Sequence, residues 1–263
     1  GSLITNDFRG NRVCRFVVSD DGAGFASREQ SELIKTNHVS FRPIDVLMGP
    51  DGAIYIADWY NPIIQHGEVD FRDPRRDHTR GRIWRVTAKG RPLVERPKLV
   101  GADVPALLEA LKAPEEYTRR QAKRVIKERG AKEVVPALAA WVKALDSADP
   151  NFEQNRLEGL WTYQTLNVPE PALLKAALAS KDARVRAAAA RIAPFWDGRM
   201  PEDSVDLLAN LPVDENPRVR LEAARSLARK PTEKASTLAF RALARPMDGF
   251  LDYAMWLTAR DLA

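Results

Sequence analysis

The sequence predicts a β-rich first part followed by an array of α-helices, and two observations support this division. Residues 1–98 hold nine of the 14 Gly, all three His and only five Ala, whereas residues 99–263 hold 32 Ala and five Gly but no His. Ala is the strongest helix former and Gly favours turns, so two architectures share the chain. They meet at residues 91–98, a charged stretch with two prolines that predicts a linker.

The overall composition excludes several classes of protein. The 263 residues are 44% hydrophobic, and 41 basic against 36 acidic side chains give a net charge of +5. Such a chain can bury a core and is not expected to be disordered. It contains no run of about 18 apolar residues, so we expect no transmembrane segment in it. The single Cys14 lies in a β-forming run and predicts a small buried thiol, which excludes an internal disulfide framework and a c-type haem motif in this chain.

Short runs of β-forming residues predict the elements of the first part. Strands are expected at residues 12–18, 44–48, 53–60 and 82–86, the last half-buried because charged and apolar residues alternate. Turns are expected at residues 19–24 and at residues 49–52, where Gly-Pro-Asp-Gly predicts a tight hairpin. A long polar loop is expected at residues 61–79.

Short strands joined by Gly and Asp turns are typical of a β-propeller blade. A closed propeller needs at least four blades of about four strands each, and residues 1–90 supply about one and a half. A partial propeller leaves unpaired strand edges, which folded proteins avoid. The sequence therefore predicts a partial β-propeller, its last one to two blades, within a longer parent chain.

The second part repeats a six-residue frame, Arg-x-x-Ala-x-Arg, in five copies that begin at residues 119, 156, 186, 220 and 251. The copies at 156 and 251 are degenerate, and the steps between copies are 37, 30, 34 and 31 residues. Apolar-periodic stretches lie between the copies, at residues 134–145, 171–178, 204–211 and 235–243. The small residue at the fourth frame position lets neighbouring helices approach closely. This pattern resembles HEAT-like repeats and predicts an α-solenoid of about five helical pairs over residues 99–263.

The first part also resembles a known family. The resemblance rests on four segments: residues 41–46, residues 49–59, the Asp-Pro-Arg-Arg-Asp-His sequence of residues 73–78 and the Gly-Arg-Ile-Trp-Arg-Val sequence of residues 81–86. Together they look like the sorbosone/glucose dehydrogenase-like propellers, and more narrowly like bacterial putative membrane-bound dehydrogenases. The resemblance covers about residues 3–90. It implies a parent that uses pyrroloquinoline quinone (PQQ) and calcium on a sugar or alcohol, in the periplasm or cell envelope, and haem c only if a downstream domain exists.

One loop gathers the residues that this resemblance makes candidates for the chemistry, and it allows two interpretations. In the first the loop lines a pocket, and in the second it is solvated and its Asp and Arg side chains pair with each other. Residues 73–77 could equally dock the first helical repeat. The expected roles are catalytic for His66, Arg76 and His78, cofactor-binding for Arg75 and Arg76, and metal-binding for Asp70, Asp73 and Asp77. Outside this loop, His38 is expected to be a polar loop residue.

Two Arg pairs, 184/186 and 218/220, begin the second helix of their repeats. They are expected to pair with Asp182, Asp214 or Glu215 and to support the turns before these helices. The alternative, a stripe that contacts phosphate, is disfavoured because residues 99–263 carry 25 basic and 23 acidic groups.

Two functions follow from these observations. The chain is expected to be a fragment of a quinone-dependent sugar or alcohol dehydrogenase, inactive alone, whose helical repeats dock other domains or proteins. The alternative is a non-enzymatic HEAT-repeat scaffold for protein binding, with the β segment as a cap.

Overall fold

A computed structural model of the chain describes residues 1–65 and 67–262. The contacts divide these residues into two units, Gly1–Ser19 with Phe25–Pro97, and Asp20–Gly24 with the chain from Lys98 onward. The first unit is built of strands and the second of helices. In the part of the chain that is described, no helix combines the length and apolar character needed to cross a membrane.

Seven strands form two open antiparallel sheets in the described residues. The strands are β1 (Ser2–Asp7), β2 (Arg12–Asp21), β3 (Gly24–Glu29), β4 (Ile34–Lys35), β5 (Pro43–Met48), β6 (Ile54–Asp58) and β7 (Arg82–Val86). The first sheet has the order β1-β2-β3, with β4 also paired to β2, and the second has the order β5-β6-β7. These two sheets are what the structure establishes, and the propeller stays a prediction.

The hairpin turn predicted at residues 49–52 is present and joins β5 to β6. The Gly49 N–H donates to the Ala53 carbonyl at 2.8 Å, and Gly52 has a φ of +75°, a conformation that favours glycine. A Cβ atom at Gly52 would also lie 2.9 Å from Cγ2 of Val94. Glycine is therefore required at residue 52 on two separate grounds.

Asp51 fixes this hairpin from the inside. Its carboxylate is buried and accepts hydrogen bonds from the Ala53 N–H, the Tyr55 hydroxyl and the Arg85 guanidinium, the last at 2.6 Å. Burial by itself would raise the pKa of Asp51, but these donors hold the pKa at about 2. The ionised Asp51 thus ties the turn to β7, the third strand of the sheet.

Some strand predictions were wrong in extent. β2 runs three residues past the predicted end at Val18, because Gly22, with a φ of +54°, allows a two-residue connection to β3. β6 ends two residues before the predicted Tyr60, which has a φ of +51°. β7 forms where predicted but is not half-buried, since it lies at a sheet edge and Ile83 is 77% exposed.

The core of the first unit joins its two sheets. Val13 on β2 and Ile56 on β6 are fully buried and pack in one cluster with Phe41. Cys14 is buried as predicted, and desolvation raises the pKa of its thiol. A small, apolar role for Cys14 follows.

Ten α-helices make up the described part of the second unit. They are α1 (Val104–Glu109), α2 (Glu116–Arg129), α3 (Ala131–Lys143), α4 (Phe152–Thr165), α5 (Pro171–Leu178), α6 (Ala183–Ile192), α7 (Ser204–Leu207), α8 (Pro217–Leu227), α9 (Glu233–Phe240) and α10 (Gly249–Leu262). The five copies of the frame lie on the even-numbered helices, which pack in succession against one another. The odd-numbered helices supply the other member of each pair.

The small residue in each frame lies at the contact between helices. Ala122, Ala189 and Ala223 are fully buried there. Gly159 occupies the same position in α4, and a Cβ atom on it would lie 2.8 Å from Cγ2 of Val142 on α3. The prediction that this position permits close helix approach is confirmed.

The first arginine of the frame has a repeated structural role. Arg119, Arg186 and Arg220 each donate from Nη1 to the two carbonyls that lie six and five residues earlier, at 2.7 to 3.1 Å. These carbonyls belong to the turns that precede α2, α6 and α8, where helical hydrogen bonding has not begun. We call these three residues the ladder arginines.

The same side chains reach the next repeat. Arg119 donates to Glu158 at 3.0 Å, Arg186 to both carboxylate oxygens of Asp214 at 2.8 Å, and Arg220 to the Pro246 carbonyl at 2.7 Å. Asp214 lies in the turn before α8 and Pro246 in the turn before α10. Each ladder arginine therefore closes its own turn and holds the following repeat.

The pairing predicted for Arg184 and Arg186 is confirmed. Arg184 binds Asp182 at 2.6 Å, and Arg186 binds Asp214 and lies 3.7 Å from Glu215. Asp182 also accepts the N–H of Arg184, which caps α6. These contacts engage Arg184 and Arg186 within the protein, so no phosphate ligand is needed to explain the two cations.

Replacing Arg186 by Met tests the structural role of the ladder arginines. Arg186 is 9% exposed, and its loss would remove the guanidinium that donates to Asp214 and to two turn carbonyls. We expect the free energy of unfolding to fall by about 3–5 kcal/mol, as for removal of one member of a buried ion pair. Urea denaturation followed by circular dichroism measures it. The control is Arg184→Met on the same helix, whose 87% exposed side chain should contribute at most about 1 kcal/mol; equal losses in the two variants would contradict the ladder.

Candidate functional site

The loop that holds the predicted site residues begins at the buried Asp58, the last residue of β6. Its carboxylate accepts the N–H groups of Arg42 and Tyr60, at 2.8 and 2.9 Å, and Nε1–H of Trp84 at 2.9 Å. Three donors from separate parts of the unit converge on one side chain. Asp58 thereby fixes the direction in which the chain leaves the sheet.

Arg42 shapes the first part of this loop. Its buried guanidinium donates to the carbonyls of Phe8, Arg9, Asn61 and Pro62, at 2.8 to 3.4 Å. Burial lowers the pKa of Arg42 from its usual value. The side chain acts as a clamp on the backbone rather than as a partner of a surface carboxylate.

Arg76, a predicted catalytic and cofactor-binding residue, shapes the second part. It is 7% exposed and donates to the carbonyls of Ile63, Gln65, Val69 and Asp70, at 2.6 to 3.4 Å. These bonds use four of the five N–H groups of the guanidinium. The backbone of the loop therefore wraps around the Arg76 guanidinium.

Several candidate residues meet at one cavity of about 500 Å³ in the first unit. Arg76, Asp77 and His78 line it together with Trp59 and Asn61. Asn61 donates to the Asp77 carbonyl at 3.3 Å, which holds the two ends of the loop together. The cavity thus brings together a buried cation and an exposed imidazole. The other predicted catalytic residue, His66, lies outside the described residues.

The predicted metal-binding carboxylates are engaged within the loop. Asp70 accepts the Arg72 N–H at 2.7 Å, and Asp77 accepts the N–H groups of Thr79 and Arg80. Asp73 pairs with Arg75 at 2.8 Å, and hydrogen bonds from the Arg75 side chain and N–H hold the pKa of Asp73 at about 2. Within the described ranges, no three His, Cys, Asp or Glu side chains are grouped so as to hold a metal ion.

Sequence reasoning did not single out Arg42 or Asp58, although both build this loop. Arg42 lies just before β5 and Asp58 is the last residue of β6, and a charged residue at either place in a sequence is equally consistent with an exposed strand end. Their buried state depends on partners 16 to 34 residues away. Only a signal of long-range pairing could have revealed them.

The second unit has a groove of about 730 Å³ along α8 and α10. Its apolar surface comes from Leu221 on α8, from Phe250, Tyr253, Ala254 and Leu257 on α10, and from Ala23 of the connection between β2 and β3. Phe250 is 46% exposed and Tyr253 61% exposed. Phe250 and Tyr253 are three residues apart in the sequence, a spacing that places them on one face of a helix. The sequence pattern here predicts only a degenerate copy of the frame and not a groove.

Charged side chains complete the groove. Arg191, Arg218 and Arg225 line it, with Glu222 as the acidic member. Arg191 on α6 binds both oxygens of Glu222 on α8, at 2.8 and 3.2 Å. Arg225 binds Asp261 on α10 at 2.7 Å. The groove is therefore bordered by ion pairs that also connect successive repeats.

Comparison with known families supports the repeat prediction for the second unit and gives the first unit no assigned activity. Residues 170–253, which contain most of the groove, match the family described as HEAT repeats. The chain carries a HEAT-repeat region. Residues 1–90 match a domain of unknown function, DUF7133. No curated protein matches the chain. The HEAT-like interpretation of the frame is thus confirmed for residues 170–253, whereas the dehydrogenase resemblance stays a prediction.

Replacing Arg76 by Lys tests whether this residue organises the loop. A lysine ammonium is a compact group that cannot reproduce the planar set of bonds to four carbonyls. We expect faster amide hydrogen exchange at residues 63–80 and little change elsewhere in the chain. The matched control is Arg75→Lys, whose 68% exposed side chain pairs with Asp73. Unchanged protection in the Arg76 variant would show that the loop is held by other contacts.

Proposed function

We propose that the chain is a protein-interaction scaffold that works through its HEAT-repeat region. The observation that carries this proposal is the groove along α8 and α10, which lies largely within residues 170–253. HEAT repeats are generally protein-interaction elements, and stacked helical pairs offer an extended surface for a partner. Exposed aromatic side chains such as Tyr253 are frequent anchors in protein interfaces.

The ladder arginines support this function through rigidity. A binding surface made of several repeats keeps its shape only if each repeat is fixed to the next. Arg186 and Arg220 make that connection on both sides of α8, one of the two helices that form the groove. A preformed surface loses less conformational entropy on binding, and its affinity is correspondingly higher.

The scaffold proposal is tested by retention on the immobilised full chain. The source-organism extract is passed over the wild type and over a Phe250→Ala/Tyr253→Ala variant, in which two exposed groove side chains are shortened. The control is Phe240→Ala/Leu243→Ala, two residues of the same unit that are 40% and 56% exposed and do not line the groove. Retained proteins are then purified and mixed with the chain in size-exclusion chromatography.

We expect at least one purified protein to elute as a complex with the wild type and the control but not with the groove variant. The groove variant should keep its unfolding midpoint, since both side chains are partly in solvent. If no retained protein forms a complex with the purified wild type, the scaffold proposal is wrong.

A second candidate function rests on the resemblance of residues 3–90. We propose that the first unit belongs to a β-propeller of the quinone-dependent sugar or alcohol dehydrogenase type, in the periplasm or cell envelope. The exposed apolar side chains of the β5-β6-β7 sheet favour this proposal, among them Leu47 at 50% and Ile83 at 77% exposure. Adjacent blades of a propeller would cover such side chains.

The loop residues of the described chain do not by themselves fit the cofactors of that candidate. Arg76 is bonded to backbone carbonyls, Arg75 is paired with Asp73, and the carboxylates of Asp70 and Asp77 accept N–H groups of their own loop. No step of a reaction is therefore assigned to them.

The expectation that residues 1–263 are inactive alone has a direct test. Residues 1–263, incubated with calcium and PQQ, are assayed for dye reduction with sugars and alcohols. We expect no turnover, because the two sheets of the described chain are open and its candidate residues are engaged with the loop. Turnover above a cofactor-only control would overturn the expectation of an inactive fragment and establish the dehydrogenase.

A further inference from the structure

The charges of the groove along α8 and α10 are unbalanced at its surface. Three arginines line the groove, against the carboxylates of Glu222 and of Asp261, the partner of Arg225. The Glu222 side chain is only 11% exposed, while that of its partner Arg191 is 69% exposed. A ligand in the groove would therefore meet the cation first, with the carboxylate covered beneath it.

Arg191 keeps donors for a ligand. Its bonds to Glu222 use Nε and Nη2. Because a guanidinium carries five N–H groups, this pairing leaves the two of Nη1 directed away from the carboxylate. Arg225 is likewise engaged through Nη1 and Nη2, with Thr258 and Asp261, and keeps its Nε–H. Both arginines can donate a hydrogen bond to an additional carboxylate while keeping their present pairs.

Apolar surface lies between these cations. Leu221 and Leu257 are partly exposed within the groove, and the rings of Phe250 and Tyr253 stand at its rim. Tyr253 stacks on Trp256 at a ring separation of 5.9 Å, which fixes its orientation. Such a surface suits an apolar side chain better than a fully hydrated ion.

We propose that this groove binds an acidic peptide segment of a partner protein, one that carries an apolar side chain among its carboxylates. The carboxylates pair with Arg191 and Arg225, and the apolar side chain lies against Leu221, Tyr253 and Leu257. The inference rests on the proposed scaffold function and adds the chemistry of the partner. Charge complementarity selects the acidic segment, and the apolar floor selects a peptide with a hydrophobic anchor.

A nucleic acid is a poorer fit to the same observations. Binding to a phosphate backbone relies on an extended basic surface, and residues 99–263 are nearly balanced, with 25 basic and 23 acidic groups. An oligonucleotide therefore serves as a competitor in the test.

The test measures fluorescence anisotropy of labelled synthetic peptides with the full chain. The probe is a short peptide of Glu and Asp with one central Phe. One comparison peptide has Lys in place of the acids, a second has Ser in place of Phe, and a single-stranded oligonucleotide is the third ligand. We expect the acidic Phe peptide to bind, the Lys peptide not to bind, and rising salt to weaken the complex.

Variants assign the binding to the groove. Arg191→Gln should weaken binding of the acidic peptide by about tenfold, the effect of losing one charge-assisted pair. Arg184→Gln, on the same helix α6 but outside the groove, should leave it unchanged. Tyr253→Ala should weaken the Phe peptide but not the Ser peptide. Thermal unfolding of each variant verifies that it is folded.

Three results would overturn the inference: no binding of the acidic Phe peptide, equal binding of the Lys peptide, or an Arg191-dependent preference for the oligonucleotide. They are separable from failure of the scaffold proposal. If a purified partner still forms its complex with the chain while the acidic peptide does not bind, the scaffold stands and only the acidic-segment inference falls.

Discussion

The second unit depends on how the turns between its helices are satisfied. The turns before α2, α6 and α8 present carbonyls outside helical hydrogen bonding, and buried carbonyls need donors. Arg119, Arg186 and Arg220 supply them, two carbonyls to each guanidinium. At least one further N–H group of each reaches the following repeat. One side chain therefore links the turn of its own repeat to the next repeat.

The first unit uses the same chemistry for a different purpose. Arg42 and Arg76 are buried, and their hydrogen bonds run mainly to carbonyls of irregular backbone. A guanidinium stays charged when buried, and its fixed fork of donors can hold several carbonyls at once. Loops that would otherwise be mobile thus obtain a defined course. The loop that resembles a catalytic segment owes its geometry to these two side chains.

Local signals in the sequence predicted the local structure and lost accuracy where pairing is long-range. The Gly49–Gly52 turn and the five helical frames depend on residues close in sequence, and all were found. β1 and β3 were not predicted, because their residues become strands only by pairing with β2. The candidate loop was located correctly, but the burial of Arg76 was not foreseen, since carbonyl partners leave no trace in side-chain composition. No local pattern in the sequence indicates the groove, because it forms only where α8 and α10 pack together.

The close contact at Gly159 has a consequence for how such an array can change over time. Because Val142 fills the space that a Cβ atom would occupy, the second repeat is matched to its own neighbour and not to a generic one. Exchanging α4 for a copy of α6, which has Ala189 at that place, would force the two helices apart. The repeats share a frame, yet they are not interchangeable parts. Recombination within the array is constrained to boundaries that keep α3 and α4 together.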